Sequence, residues 1–180
     1  TASRPMNADR RAYFAVALIA VLVIGLDQYT KHLVCAHLPL YGRVEVLHGW
    51  LDLVHIRNTG IAFGLLQGMG GRYKTAAMLI VAAVALVLIG VLVAQMRKSE
   101  KLQIASLALI LGGAVGNLID RVRFGEVVDF IDAHWRNLYH WPAFNAADAA
   151  ISVGISLIVL DELFLKRRKA AVGSRKAEDR

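Results

Sequence analysis

The chain has 180 residues, 57% of them hydrophobic and 19% charged, with a mean hydropathy of +0.50 and a net charge of +7. That balance excludes an ordinary soluble domain, because the apolar residues come in long blocks instead of one face of each element. A single cysteine, Cys35, also excludes a disulfide framework and a thiolate metal cluster, which need several sulfurs.

In chain order, residues 1–5 precede the first Met and carry no weight. Residues 12–26 are uninterrupted apolar residues behind Arg10 and Arg11, too few alone to cross a bilayer, so the first span is expected to run on through Asp27 to about residue 34. A cleavable signal peptide starts the same way, but no small-x-small site follows and the stretch continues as Asp27-Gln28-Tyr29-Thr30-Lys31, which reads as a retained anchor. Residues 35–73 form an outer connection. Within it Arg43-Val44-Glu45-Val46 and Trp50-Leu51-Asp52-Leu53-Val54-His55-Ile56-Arg57 alternate with period two, predicting a small sheet on the membrane surface, ended by a turn at Gly68-Met69-Gly70-Gly71. Residues 75–96 and 102–119 are charge-free, and at ~1.5 Å of rise per residue both are long enough for a hydrocarbon core of roughly 30 Å. A second outer connection covers 121–140, and a fourth span, 141–160, holds one ionisable group, Asp148.

Thirteen of the 21 Lys and Arg residues lie before the first span, between the second and third, and after the fourth. Basic residues resist translocation, so that side, with both termini, is expected to be cytoplasmic. Trp50, Trp135 and Trp141 fall on the opposite side, where amphipathic rings sit at headgroup level. The fold class expected is therefore an all-α membrane protein of four transmembrane helices, N-in and C-in, with a small periplasmic sheet between helices 1 and 2. A tail of residues 1–11 precedes a single membrane-embedded domain, 12–165, and a basic tail, 166–180, follows it. The basic blocks sit apart at helix ends, which argues against nucleic-acid binding.

No H-E-x-x-H, G-x-S-x-G or phosphate-loop pattern occurs. Polar groups at the edges of the spans remain, and they are costly enough there to be functional candidates. Asn117, Asp120 and Arg121 are three and four residues apart on one helical face, with Gly112 and Gly116 allowing a neighbour to approach. A packing seam finished by an interfacial ion pair has the same pattern. Asp129 lies between apolar residues in Val127-Val128-Asp129-Phe130, and Asp148 follows Asn145 by three, so the two carboxyls can meet. The Asn145/Asp148 spacing fits equally an N-cap with an acid at N3. Two carboxyls in contact cannot both ionise; the pair keeps one proton, leaving one base to activate water and one acid to protonate a carbonyl or leaving nitrogen.

Five motifs in order resemble the bacterial lipoprotein signal peptidase family (signal peptidase II): Asp27-Gln28-x-x-Lys31, Asn58-Thr59-Gly60-Ile61-Ala62-Phe63-Gly64, Gly116-Asn117-Leu118-Ile119-Asp120-Arg121, Val127-Val128-Asp129-Phe130 and Phe144-Asn145-x-Ala147-Asp148. The resemblance implies a membrane aspartyl endopeptidase of the inner membrane that cleaves prolipoprotein signal peptides before a diacylglyceryl-modified cysteine, at the periplasmic face. It implies Asp129 and Asp148 as the catalytic pair and Asn117, Asp120, Arg121 and Asn145 as supporting or substrate-orienting groups. Asn58, Gly60 and Phe63 would form the outer groove wall, with Asp27 and Lys31 structural. It also implies contact with membrane lipid, inhibition by the cyclic lipopeptide globomycin, a monomer, and no metal or organic cofactor. Two rival readings are a small proton-coupled carrier using Asp27, Asp120 and Asp148, and a non-catalytic membrane adaptor.

Overall fold

A computed structural model describes residues 6–59, 71–95, 101–136 and 138–165. Gly60 and Phe63, the turn at 68–70, the basic residues 97 and 98, and the tail from 166 lie outside the described residues. Helix α1 spans Met6–His37, α2 Gly71–Gln95, α3 Lys101–Phe124 and α4 Ala146–Leu160, which continues as a π-helical turn, Asp161–Leu165. Among the described residues three helices are long and apolar enough to cross a bilayer, Arg10–His37, Ala76–Gln95 and Lys101–Phe124. Their apolar residues are not all turned inward: Leu22 is 63% exposed and Val81 69%. Such faces suit hydrocarbon, where helix packing has no water to exclude.

α3 is the central helix, lying against α1, α2 and α4. Toward one end Ala12, Val16, Leu107 and Ala108 form a buried cluster between α1 and α3, flanked by Ile19, Val93, Ile104 and Leu111. Toward the other end, small residues bring backbones together. A Cβ at Gly113 would fall onto the Ala147 carbonyl oxygen of α4 and 2.8 Å from Ile151, and one at Gly116 would lie 2.7 Å from Asp27 Oδ2. Gly113→Ala should therefore push α3 from α4 and cost about 1–3 kcal/mol of stability. Thermal unfolding in detergent would read this, and an unchanged midpoint would mean that the helices separate freely.

The sheet departs from expectation. Strands β1 (Arg43–Leu47) and β2 (Leu51–Asn58) lie where the alternation places them, but they are joined by β3 (Val127–Trp135) and β4 (Tyr139–His140) of the second connection, in the antiparallel order β1-β2-β3-β4. The sheet is thus built from both connections, not from the segment between helices 1 and 2 alone. β3 escapes a period-two reading because Val127, Val128, Asp129 and Phe130 are all buried, leaving no solvent face to mark with polar residues. The faces are also reversed over part of the sheet. Asp52 pairs with Asp132 across β2 and β3 with both buried, whereas the cross-strand pair Val44 and Leu53 is exposed. Opposed carboxylates repel, and basic groups offset this here: Arg43 Nε bonds Asp52, and His140 Nδ1 lies 2.9 Å from Asp132 Oδ1.

Two span boundaries move as well. α3 continues past residue 119 to Phe124, so Arg121 is helical; it ends where Gly125 takes a left-handed φ of 74° and donates its N–H to the Arg121 carbonyl at 3.0 Å. α4 begins at Ala146 instead of 141, because Phe144 pairs with β3, its N–H on the Ile131 carbonyl and its carbonyl on the N–H of Ile131. Helix starts only after that bridge ends.

Candidate active site

The ends of α1 and α3, the start of α4 and strand β3 meet in one polar junction. Asn145 caps α4: its Oδ1 accepts the Asp148 N–H at 2.9 Å, and Asp148 Oδ2 accepts the Asn145 N–H at 3.4 Å, a capping box. The capping reading of this motif is therefore correct, and it does not compete with a chemical one. The cap uses the Asn145 oxygen, which leaves its amide hydrogens for the site. Nδ2 donates to Asp129 Oδ1 at 2.7 Å and lies 3.2 Å from Asn117 Oδ1. Asn117 in turn donates through Nδ2 to Asp148 Oδ1 at 2.7 Å. Asp129 and Asp148 are thus tied into one chain by two amides. From β2, Asn58 donates to the other Asp129 oxygen at 2.8 Å.

The two carboxyls differ in surroundings. Asp129 is 1% exposed, while Asp148 is half-buried and Asn58 is exposed, so the site is open on the Asp148 and Asn58 side. Burial pushes the Asp129 carboxyl up from 3.8 to about 6; the Asp148 charge adds to the rise, while Asn58, Asn145 and Lys31 pull it down.

Beneath this pair lies a second cluster. Lys31 Nζ sits 2.8 Å from Asp27 Oδ2 and 2.9 Å from Asp120 Oδ2, all but fully buried. Asp120 therefore belongs with Asp27 and Lys31, while Arg121 donates to the Asn117 carbonyl within its own helix at 3.1 Å. Gln28, a motif position not singled out from sequence, links α1 to α3: its Nε2 reaches Asp120 Oδ1 at 2.9 Å and the Gly116 carbonyl at 3.1 Å. Its only sequence signal was its place beside Asp27. Among the described residues, no three His, Cys, Asp or Glu side chains converge on a metal-sized site.

The family model for signal peptidase II matches residues 19–164. A lipoprotein signal peptidase from Syntrophotalea carbinolica is 48% identical over 79% of this chain and 87% of its own length, and one from Geobacter sulfurreducens is 43% identical over 92% and 99%. A solved structure described as a bacterial membrane enzyme superposes with a TM-score of 0.72 at 33% identity, covering 83% of this chain and 92% of that one. These matches favour a peptidase over the carrier and adaptor readings. The chain belongs to the signal peptidase II family.

Proposed function

We propose that Asp129 and Asp148 are the catalytic pair of a prolipoprotein signal peptidase. The observation that carries the reading is the bridge Asp129–Asn145–Asn117–Asp148, which holds two carboxyls from different elements in one polar network, one of them open to the surface. In the mechanism, Asp129 keeps the shared proton and Asp148 is the base. Asp148 takes a proton from water as the oxygen adds to the scissile carbonyl carbon, and Asp129 protonates the carbonyl oxygen. The C–N bond of the resulting gem-diol then breaks as the nitrogen receives the proton held by Asp148, and the diol returns its proton to Asp129. Free amine, free acid and the starting dyad result.

The mechanism needs one proton on the pair. As pH rises through the ionisation of Asp129, about 6 in the free enzyme, that proton is lost and kcat/KM should fall. Asn58 donates to Asp129 and favours its charged form, so Asn58→Ala should move the falling limb to higher pH. A limb unmoved or moved to lower pH would separate Asn58 from this ionisation.

The substrate bond lies just before a diacylglyceryl-modified cysteine, at the periplasmic edge of the inner membrane. Exposed Val44, Leu53, Trp50, Trp135 and Trp141 support a sheet resting its apolar side on lipid. α4 with its π-helical extension serves as a fourth span, both termini lie inside, residues 12–165 act as one membrane-embedded domain, and the protein works as a monomer. No cofactor takes part, and globomycin inhibits. The test is cleavage of a lipidated prolipoprotein by the purified protein. It should be cut at the bond before the modified cysteine, be blocked by globomycin, and exceed an unlipidated control. Equal rates on both substrates would refute recognition through lipid.

A further inference from the structure

Four acids meet at the junction, in two pairs with different surroundings. Asp129 and Asp148 are held by the amides of Asn58, Asn145 and Asn117. Asp27 and Asp120 close on the Lys31 ammonium, and all three are at least 97% buried. The ammonium has three protons and three partners, the third being Asn117 Oδ1 at 3.0 Å. An ammonium has no lone pair, so it fixes which end of the Asn117 amide it meets. Oδ1 must face Lys31, and Nδ2 is left facing Asp148.

The two carboxylates that Lys31 bridges are also backbone anchors. Asp27 Oδ1 accepts the N–H of Ala147 at 2.9 Å, and Asp120 Oδ2 accepts the N–H of Val128 at 3.1 Å. Ala147 and Val128 are the residues directly before Asp148 and Asp129. One cation therefore holds together the two acceptors that pin the chain beside each reacting carboxyl, and Gln28 braces the same acceptors from α1.

We propose that Lys31 is a positioning residue for the hydrolysis: through Asn117 it orients the Asp148 carboxylate, and through Asp27 and Asp120 it sets the separation of the backbones that carry the pair. The inference rests on Asp129 and Asp148 being that pair. A cluster that only stabilised the fold would leave turnover and the pair's protonation alone. Lys31 also supplies positive potential at Asp129. The charged groups of the packed elements around Asp129 are Asp27 and Lys31 of α1, Asp120 and Arg121 of α3, and Asp148 of α4, with the neutral Asn58 on β2. Of these, the Asp148 charge raises the Asp129 ionisation and Lys31 lowers it, so removing the cation, with or without Asp120, lets Asp129 hold its proton to higher pH.

Lys31→Met alone strands two buried carboxylates and is expected to lose stability. Lys31→Met/Asp120→Asn keeps the net charge of the cluster while still removing the bond to Asn117. In that double variant, once folding is verified by thermal unfolding, kcat on a lipidated prolipoprotein should drop about 100-fold with KM little changed. The basic limb of its pH profile should shift upward. Lys31→Arg, which keeps charge and donors, should restore most of kcat and the original limb. A double variant that fails to fold, or that folds with wild-type kcat and an unmoved limb, would mark Lys31 as structural and overturn the proposal. Asp148→Asn assayed alongside separates the two failures: if it is active, the assignment of the pair is wrong; if it is inactive while the Lys31 variants are normal, only the role of Lys31 is.

Discussion

Asp129→Asn and Asp148→Asn are each expected to lower prolipoprotein cleavage by about 10³-fold, since each removes one member of the proposed acid–base pair. Their effects on stability should differ in sign. Asp129 is buried and ionises at about 6 instead of 3.8. Its folded form thus binds the proton more tightly than the unfolded chain, and the stability this confers is complete below 3.8 and is lost as pH rises through about 6. A buried carboxylate ionised that late costs folding roughly 3 kcal/mol at neutral pH, and a neutral amide escapes this. The amide gives part of it back, because Asn58 and Asn145 both donate to Asp129 and one of them would then meet an N–H. Relative to wild type, the melting temperature of Asp129→Asn should therefore rise between pH 4 and pH 7. Asp148→Asn acts through the helix instead. It removes negative charge from the first turn of α4, a loss of about 0.3–1 kcal/mol. Near-normal turnover in either variant would remove that residue from the chemistry, and a pH-independent difference in melting temperature for Asp129→Asn would contradict the burial argument.

Asn145 offers the second large effect, because its two ends serve different purposes. The oxygen caps α4 and the amide nitrogen holds Asp129. Asn145→Ser retains a capping oxygen but has no group to reach Asp129 or Asn117, so it should lose about 100-fold in kcat together with about 1–3 kcal/mol for the buried hydrogen bonds removed. Asn145→Ala should lose the same activity and about 1 kcal/mol of stability besides. Thermal unfolding together with turnover on a lipidated substrate separates the two. If both variants kept wild-type kcat and differed only in melting temperature, Asn145 would be a cap and nothing more.

Much of the architecture is legible in the residues because a membrane span leaves a simple trace. Charge-free runs mark α2 and α3, and period-two alternation marks β1 and β2. Helix ends are harder to read, since caps and bridges decide them. α3 stops at the left-handed Gly125, and α4 waits for Phe144 to finish pairing with Ile131. β3 was hidden for the opposite reason to β1 and β2: a strand buried on both faces has no polar side to alternate with its apolar one.

Within the site, local spacing placed Asn117 and Asp120 on one helical face and made Asn145 and Asp148 a cap, since both relations follow from 3.6 residues per turn. Spacing could not divide Asp27, Asp120, Asp129 and Asp148 into pairs. That division depends on which elements touch, and so on Gly113 and Gly116 letting α4 and α1 close on α3. With those contacts made, Lys31 takes Asp27 and Asp120, leaving Asp129 and Asp148 to share the two asparagine amides. Sequence alone determined which side chains were available and on which helical faces. Only the packing of four elements decided which carboxylates meet a cation and which are bridged by asparagine amides, because such contacts act over a few ångströms of space and not over positions in the chain.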